Sequence, residues 1–451
     1  MSRPKSNSKN RYAVVRVIAM IALICLIGRL FYIQIIKHSK YEQIAVSQQT
    51  QDIAIEAKRG TITDRDGNIL AISATAYKVV MAPKLIDSED LREKICDGLS
   101  SALSEDRDKI YEMTLKNVQS VEVVRRVEKD IADKVSDFIS EDKDYAAIIT
   151  VTEDPKRYYP NGNTLSTVLG LVGSDNQGLE GLEYLYDDYL TGTAGKLVAT
   201  KTSIGTSMPF SYERQVDPKD GCTVELTVDL KMQAMLESEI NNARVEHNVQ
   251  NRIAGIIMDV NTGEILAMTS KPDFDPNENY VINDELTLEA LAAEFEVGST
   301  EYYKAYNEKF AEYKKNKCLE AYEPGSTFKI FTASMALEEN LVSLEETFFC
   351  SGHLDIGPTR VNCHKRTGHG SEHLKEGLAN SCNPVFMTLG MRIGQEKFYD
   401  YLTVFGLRDK TGVGLPGEQT GYHHSLKTMT TLDLAESAFG QTFKITPMQL
   451  I

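Results

Sequence analysis

The sequence predicts an α+β protein: one N-terminal membrane-spanning helix, then two globular domains outside the cytoplasm. Three observations predict this class. An apolar run over residues 13–36 follows a short tail that carries Arg3, Lys5, Lys9 and Arg11 and no acid. Residues 39–215 mix short β-like runs with charged, amphipathic helical segments. Beyond residue 216, a strongly patterned strand pair precedes a serine delivered by a tight turn to an apolar helix.

The apolar run is long enough to cross a bilayer. Arg16 can snorkel to the headgroups, and Arg29 lies near the opposite interface or faces a partner helix. The basic flank predicts a cytoplasmic tail over residues 1–12. A cleaved signal peptide fits less well, because no small-x-small site follows and Phe31-Tyr32-Ile33-Gln34 continues as an amphipathic segment. The 451 residues suffice for two domains with cores, and a formal charge of −16 argues against a nucleic-acid partner.

Within 39–215, residues 77–83 and 146–151 read as strands, and 91–103 and 131–139 as amphipathic helices. The region carries no nucleophile constellation, which points to a pedestal or interaction role. The second domain, 216–451, opens with an alternating strand over 223–228 and a helix over 230–249. The strand pair at 253–268 turns at Asn261-Thr262-Gly263. Residues 283–317 are rich in Glu, Lys and Tyr and read as a solvated helical insertion, with a lid as the alternative.

The chemistry concentrates in Tyr322-Glu323-Pro324-Gly325-Ser326-Thr327-Phe328-Lys329. Pro324-Gly325 punctuates the chain, and Ser326 and Lys329 at i and i+3 share one helix face. A buried lysine left neutral by desolvation can take the serine proton. The spacing alone is weak, since Ser2/Lys5 and Ser6/Lys9 repeat it in the polar tail. A second polar triplet, Ser381-Cys382-Asn383 before Pro384, adds weight, although Ser and Asn also favour plain helix-capping loops. Ser-x-x-Lys followed by Ser-x-Asn is the motif order of penicillin-recognising serine acyltransferases.

On these motifs the chain resembles the class B penicillin-binding proteins, which are peptidoglycan D,D-transpeptidases. The resemblance extends over Arg59-Gly60-Thr61-Ile62-Thr63-Asp64-Arg65-Asp66-Gly67, Gly178-Leu179-Glu180-Gly181-Leu182-Glu183, the strand pair, Phe405-Gly406-Leu407, Gly440-Gln441 and Thr446-Pro447. It implies an elongated pedestal (dimerisation) domain and a penicillin-binding transpeptidase domain whose sheet is flanked by helices. It also implies Ser326 as nucleophile, Lys329 as proton acceptor, Ser381 as relay and Asn383 as substrate anchor. The implied ligands are peptidoglycan stem peptides and β-lactams, with the membrane and a polytopic glycosyltransferase as partners and no cofactor or metal. The family's third motif, Lys-Thr/Ser-Gly, sits on an edge strand. Lys410-Thr411-Gly412 has turn-like flanks and reads as a decoy, so the transpeptidase domain is expected to lack its C-terminal strands. Two other functions compete: a non-catalytic membrane scaffold, and a β-lactamase or β-lactam sensor, for which no deacylating glutamate is evident.

Seven cysteines remain. Cys25 falls in the apolar span, Cys96, Cys222 and Cys318 are scattered, and Cys382 reads as a small packing residue. Cys350 and Cys363 leave three readings open: a disulfide, a zinc site with His364, His369 or His373 whose spacing matches no common pattern, or two unpaired thiols. With Gly368-His369-Gly370, they also resemble the sporulation-specific branch of the family, where a disulfide so near the site would make activity redox-dependent.

Overall fold

The computed structural model describes residues 8–38, 41, 50–200, 214–249, 251–278 and 280–451. The readings on residues 1–7 and on the start of the pedestal at 39–40 and 42–49 lie outside these residues. The described chain forms two compact units that interleave in sequence: Met1–Lys58, Thr75–Pro155 and Gly192–Asp220, and Arg59–Ala74, Lys156–Thr191 and Gly221–Ile451.

The first unit begins with the helix Ser8–Phe31, which widens into a π turn over Tyr32–Ile36. Val15–Ile36 is long and apolar enough to cross a membrane, and its side chains, among them Ile18, Leu23 and Leu26, point outward uncovered. The Arg29 guanidinium lies 5.8 Å from the Tyr32 ring centroid, a cation–π contact at the end of the apolar run.

Beyond this helix the unit has an antiparallel sheet with Tyr77–Met81 in the middle, between Val121–Val127 and Ile149–Glu153. The helices Glu89–Leu103 and Lys129–Ser140 bury Ile95, Leu99 and Val135 with Val79, Met81 and Ile149 in a common core. The strand expected over 146–151 starts late. Residues Lys143–Ile148 are helical, because Asp142 caps the turn by accepting from the Asp144 N–H at 3.1 Å, and Tyr145 stacks on Phe138 with ring centroids 4.7 Å apart. A second ladder pairs Thr50–Ile55 with Gly195–Thr200, and that strand with Arg214–Val216.

In the second unit, a buried ion network secures a four-stranded sheet made of Val224–Glu225, Ile62–Thr63, Ile69–Ala74 and Lys156–Tyr158. Arg59 Nε donates to Glu183 Oε2 at 2.6 Å, and Arg157 Nε donates to Glu183 Oε1 at 2.7 Å. Asp187 takes a third bond, from Arg59 Nη1 at 2.6 Å. Two guanidiniums thus face two carboxylates, so no buried charge is left alone. Gly60 is required beside this network, since a Cβ there would lie 1.9 Å from the Cys222 carbonyl oxygen.

The strand pair is Ile253–Met258 with Ile265–Lys271, turned where Gly263 adopts φ +77°. Leu230–Glu246 packs on it, and the Gln233 amide bonds both the Met268 N–H and its carbonyl at 2.8 and 2.9 Å. The strand expected over 223–228 pairs only at Val224–Glu225.

The insertion forms Glu285–Glu294 and Thr300–Lys314, but it is not fully solvated. Leu291, Phe310 and Tyr313 are buried, and Phe310 and Tyr313 cluster with Phe274, Ile282 and Leu171. A separate helical core gathers Lys329–Glu338, Asn383–Ile393 and Thr431–Ser437 around Phe328, Met335, Phe386, Leu389 and Phe439.

Candidate active site

Pro324 and Gly325 build the approach to Ser326. Gly325 adopts φ +60°, its N–H donates to the Gly440 carbonyl at 2.8 Å, and the Thr327 hydroxyl returns to the Pro324 carbonyl at 2.7 Å. The 3₁₀ turn Gly325–Phe328 feeds directly into the helix Lys329–Glu338. Phe328 anchors the turn, packed against Phe331, Phe398 and Phe443. Ser326 stays at the surface while Lys329 is fully buried.

Ser381-Cys382-Asn383 enters from the loop between the helices Leu374–Ala379 and Asn383–Ile393. Ser381 holds φ +52°, a left-handed conformation that costs a non-glycine residue about 1 kcal/mol. The Cys382 N–H pins the loop to the Gly377 carbonyl at 2.8 Å, and Asn383 Nδ2 donates to the Asn362 carbonyl at 3.1 Å.

All four expected site residues meet at one point. Lys329 Nζ lies 2.8 Å from the Ser381 carbonyl, 2.8 Å from Asn383 Oδ1, 2.9 Å from Ser381 Oγ and 3.3 Å from Ser326 Oγ. Ser381 Oγ is 2.8 Å from Ser326 Oγ. The Ser381 carbonyl and Asn383 Oδ1 can only accept, so they use both N–H bonds of a neutral lysine. Its lone pair is then left for the hydroxyls. Burial pulls Lys329 down to about 8, with the thiols of Cys363 and Cys382 opposing the shift. A fraction of this lysine is therefore neutral near pH 7.

Lys410-Thr411-Gly412 lies in an irregular loop, where the Thr411 N–H and hydroxyl both donate to Glu418 Oε1 at 2.7 and 2.6 Å. The triplet forms no strand, in keeping with its turn-like flanks.

Sequence reasoning passed over two features. Gly440 abuts the turn before Ser326, and a Cβ there would lie 1.9 Å from the Gly325 carbonyl oxygen. Cys382 is fully buried in the helical core, as expected of a packing residue, and it also meets other thiols there. Cys350, Cys363, His369 and Cys382 bring three sulfurs and a ring nitrogen within 4.8 Å of one another. His364 and His373 stand outside this group, and all the described cysteines are free thiols.

Comparison with known proteins agrees with this architecture. Residues 54–226 match the penicillin-binding protein dimerisation domain, and residues 253–451 match the penicillin binding protein transpeptidase domain. Stage V sporulation protein D of Bacillus subtilis is 34% identical over 444 residues, which is 98% of this chain and 64% of that protein. The peptidoglycan D,D-transpeptidase FtsI of Escherichia coli K12 is 27% identical over 98% of this chain and 69% of its own length. Among solved structures, the penicillin-binding protein PBP2 of Helicobacter pylori, in complex with MreC, superposes with a TM-score of 0.69 at 21% identity. That match covers 89% of this chain and 76% of that one. With the dimerisation and transpeptidase domains matched in order over most of the chain, and a relative 34% identical over 98% of it, the chain belongs to the class B penicillin-binding proteins.

Proposed function

We propose that this chain is a peptidoglycan D,D-transpeptidase that works through an acyl-enzyme on Ser326. The observation that carries the reading is Lys329, buried and hydrogen-bonded to Ser326, Ser381 and Asn383 together. Neutral Lys329 accepts the Ser326 proton as Oγ attacks the carbonyl between two D-alanines of a stem peptide. The Ser326 N–H stands near the developing oxyanion. The tetrahedral intermediate collapses as the C–N bond breaks. Ser381, bridging Ser326 and Lys329, passes the proton to the leaving D-alanine amine. An amino group of a neighbouring stem then attacks the ester, returns its proton through the same path and frees Ser326. Asn383 divides its amide between Lys329 and the Asn362 carbonyl, which fixes its orientation beside the substrate. A β-lactam enters by the same first step and remains as a slow acyl-enzyme.

The apolar helix Val15–Ile36 anchors the protein in the cell membrane, with the basic tail inside and the chain beyond the helix outside. A polytopic glycosyltransferase is the partner we propose for the membrane helix and first unit. The resemblance to stage V sporulation protein D favours a role in sporulation.

The test is covalent labelling of the folded chain by a fluorescent penicillin, beside Ser326→Ala. Label on the parent and none on the variant is expected. A parent that folds but takes no label overturns the acyl-enzyme reading for this chain.

A further inference from the structure

We propose that Phe386 and Phe439 are positioning residues for proton transfer at Ser326: their ring faces stabilise the ammonium that Lys329 becomes when it takes the serine proton. The inference rests on Lys329 as the base and adds what holds its charge once formed.

The rings come from separate elements. Phe386 lies on the helix Asn383–Ile393, three residues after Asn383, so ring and amide share one helix face. Phe439 follows the helix Thr431–Ser437 and directly precedes Gly440, whose carbonyl accepts from the Gly325 N–H. The Thr332 hydroxyl, on the nucleophile helix, donates to the Ala438 carbonyl at 2.8 Å and ties that neighbour down as well. Lys329 Nζ stands over both rings, 5.6 Å from the Phe386 centroid and 5.9 Å from that of Phe439. Both distances are within cation–π reach. Phe386 is fully buried and Phe439 is 4% exposed.

Proton transfer leaves a positive charge on a buried nitrogen. The bonds of Nζ go to the Ser381 carbonyl, Asn383 Oδ1 and two hydroxyls, and among the described residues no carboxylate pairs with it. A ring face is electron-rich and does not titrate, so it attracts the ammonium more than the neutral amine. The same rings exclude water, which favours the neutral amine. Bulk and face therefore act in opposite directions. The bulk keeps Lys329 free to accept a proton, and the face makes it a stronger base. An aliphatic side chain of similar volume would supply only the bulk.

The titratable groups facing Nζ are the thiols of Cys363 and Cys382, with the Glu372 carboxylate bonded to Cys382 behind them. Burial holds the Cys382 thiol far above its ordinary value, so it stays protonated. Glu436, on the helix before Phe439, faces Asp433 and Glu323 instead. Substitutions confined to the two rings leave all of these groups in place.

The experiment places mono-, tri- and pentafluorophenylalanine at Phe386 or at Phe439 of the full chain in detergent. Labelling by a fluorescent penicillin is followed between about pH 6 and 9. Fluorine withdraws charge from the ring face and nearly keeps its shape, and circular dichroism checks the fold. The pH midpoint of acylation should fall stepwise with fluorine number, by about half a pH unit at full fluorination of either ring. The plateau rate should fall with it, as the base weakens. Phe439→Ala gives the contrast: water enters, and the midpoint should rise toward the ordinary lysine value. If that variant does not fold, the fluorinated series decides alone. A midpoint that stays within about 0.2 of a unit along the series, or rises, with the fold intact, overturns the inference. Competitive acetylation, read by mass spectrometry of the Lys329 peptide, follows the same titration in a chain that does not acylate. A parent without label thus fails the acyl-enzyme reading, while the acetylation midpoints still decide whether the rings hold the ammonium.

Discussion

If neutral Lys329 takes the Ser326 proton, acylation by penicillin must follow its titration. The perturbation is pH alone, between 6 and 9. With Lys329 at about 8, the neutral fraction is ~1% at pH 6, ~10% at pH 7 and ~50% at pH 8. The second-order acylation constant should therefore climb about tenfold from pH 6 to 7, about fivefold more to pH 8, and level off above 9. Burial shifts this lysine down, and the thiols of Cys363 and Cys382 oppose that shift.

Loss of fold does not imitate the effect. The folded state holds Lys329 below its ordinary 10.5, so between about 8 and 10.5 the unfolded chain binds more protons and stability rises with pH. Below 8 both states are protonated there, and this group adds no further slope. The assay is the initial rate of covalent labelling by a fluorescent penicillin at sub-saturating concentration, with circular dichroism at each pH. A rate that changes less than about threefold between pH 6 and 8 with the fold intact would refute Lys329 as the base. So would Lys329→Ala labelling at the parent rate.

Three further outcomes follow from other contacts. Ser381→Gly should lower acylation by ~10²–10⁴-fold, because the hydroxyl bridging Ser326 and Lys329 is lost, yet thermal melting should show it at least as stable as Ser381→Ala, since glycine accepts φ +52° without strain. Gly440→Ala forces a Cβ to 1.9 Å from the Gly325 oxygen at φ +88°, so labelling should fall by ~100-fold or more as Ser326 is displaced. Glu183→Ala leaves Arg59 and Arg157 facing each other with Asp187 as the remaining carboxylate, and urea denaturation should report a loss of ~3–5 kcal/mol.

The parts of the fold legible in the sequence are those whose signal is local. The strand pair at 253–268 announces itself by alternation and Asn-Thr-Gly. The apolar span needs only composition, and Leu230–Glu246 shows its start through Asp229. The strand expected over 146–151 begins only at Ile149, because a cap at Asp142 and a ring stack from Phe138 overrode β-branched content before it. The insertion was expected to be solvated because its charges dominate the average, while Leu291, Phe310 and Tyr313 bury one face.

The candidate site divides along the same line. Ser326 and Lys329 are one helical turn apart, so their pairing is written in the spacing, and Ser381 and Asn383 follow by motif order. The convergence of Cys350, Cys363, His369 and Cys382 is not written there. Zinc spacings are readable when two ligands share one knuckle or one helix face, because local geometry then fixes their separation. Here each donor sits at the end of a different element. Their distance is set by the pairing of Thr347–Cys350 with Gly370–His373, and by the core that seats the Ser-x-Asn loop. Groups that only the finished fold brings together leave no trace in sequence spacing, and the strained serine beside the nucleophile owes its place to the same packing.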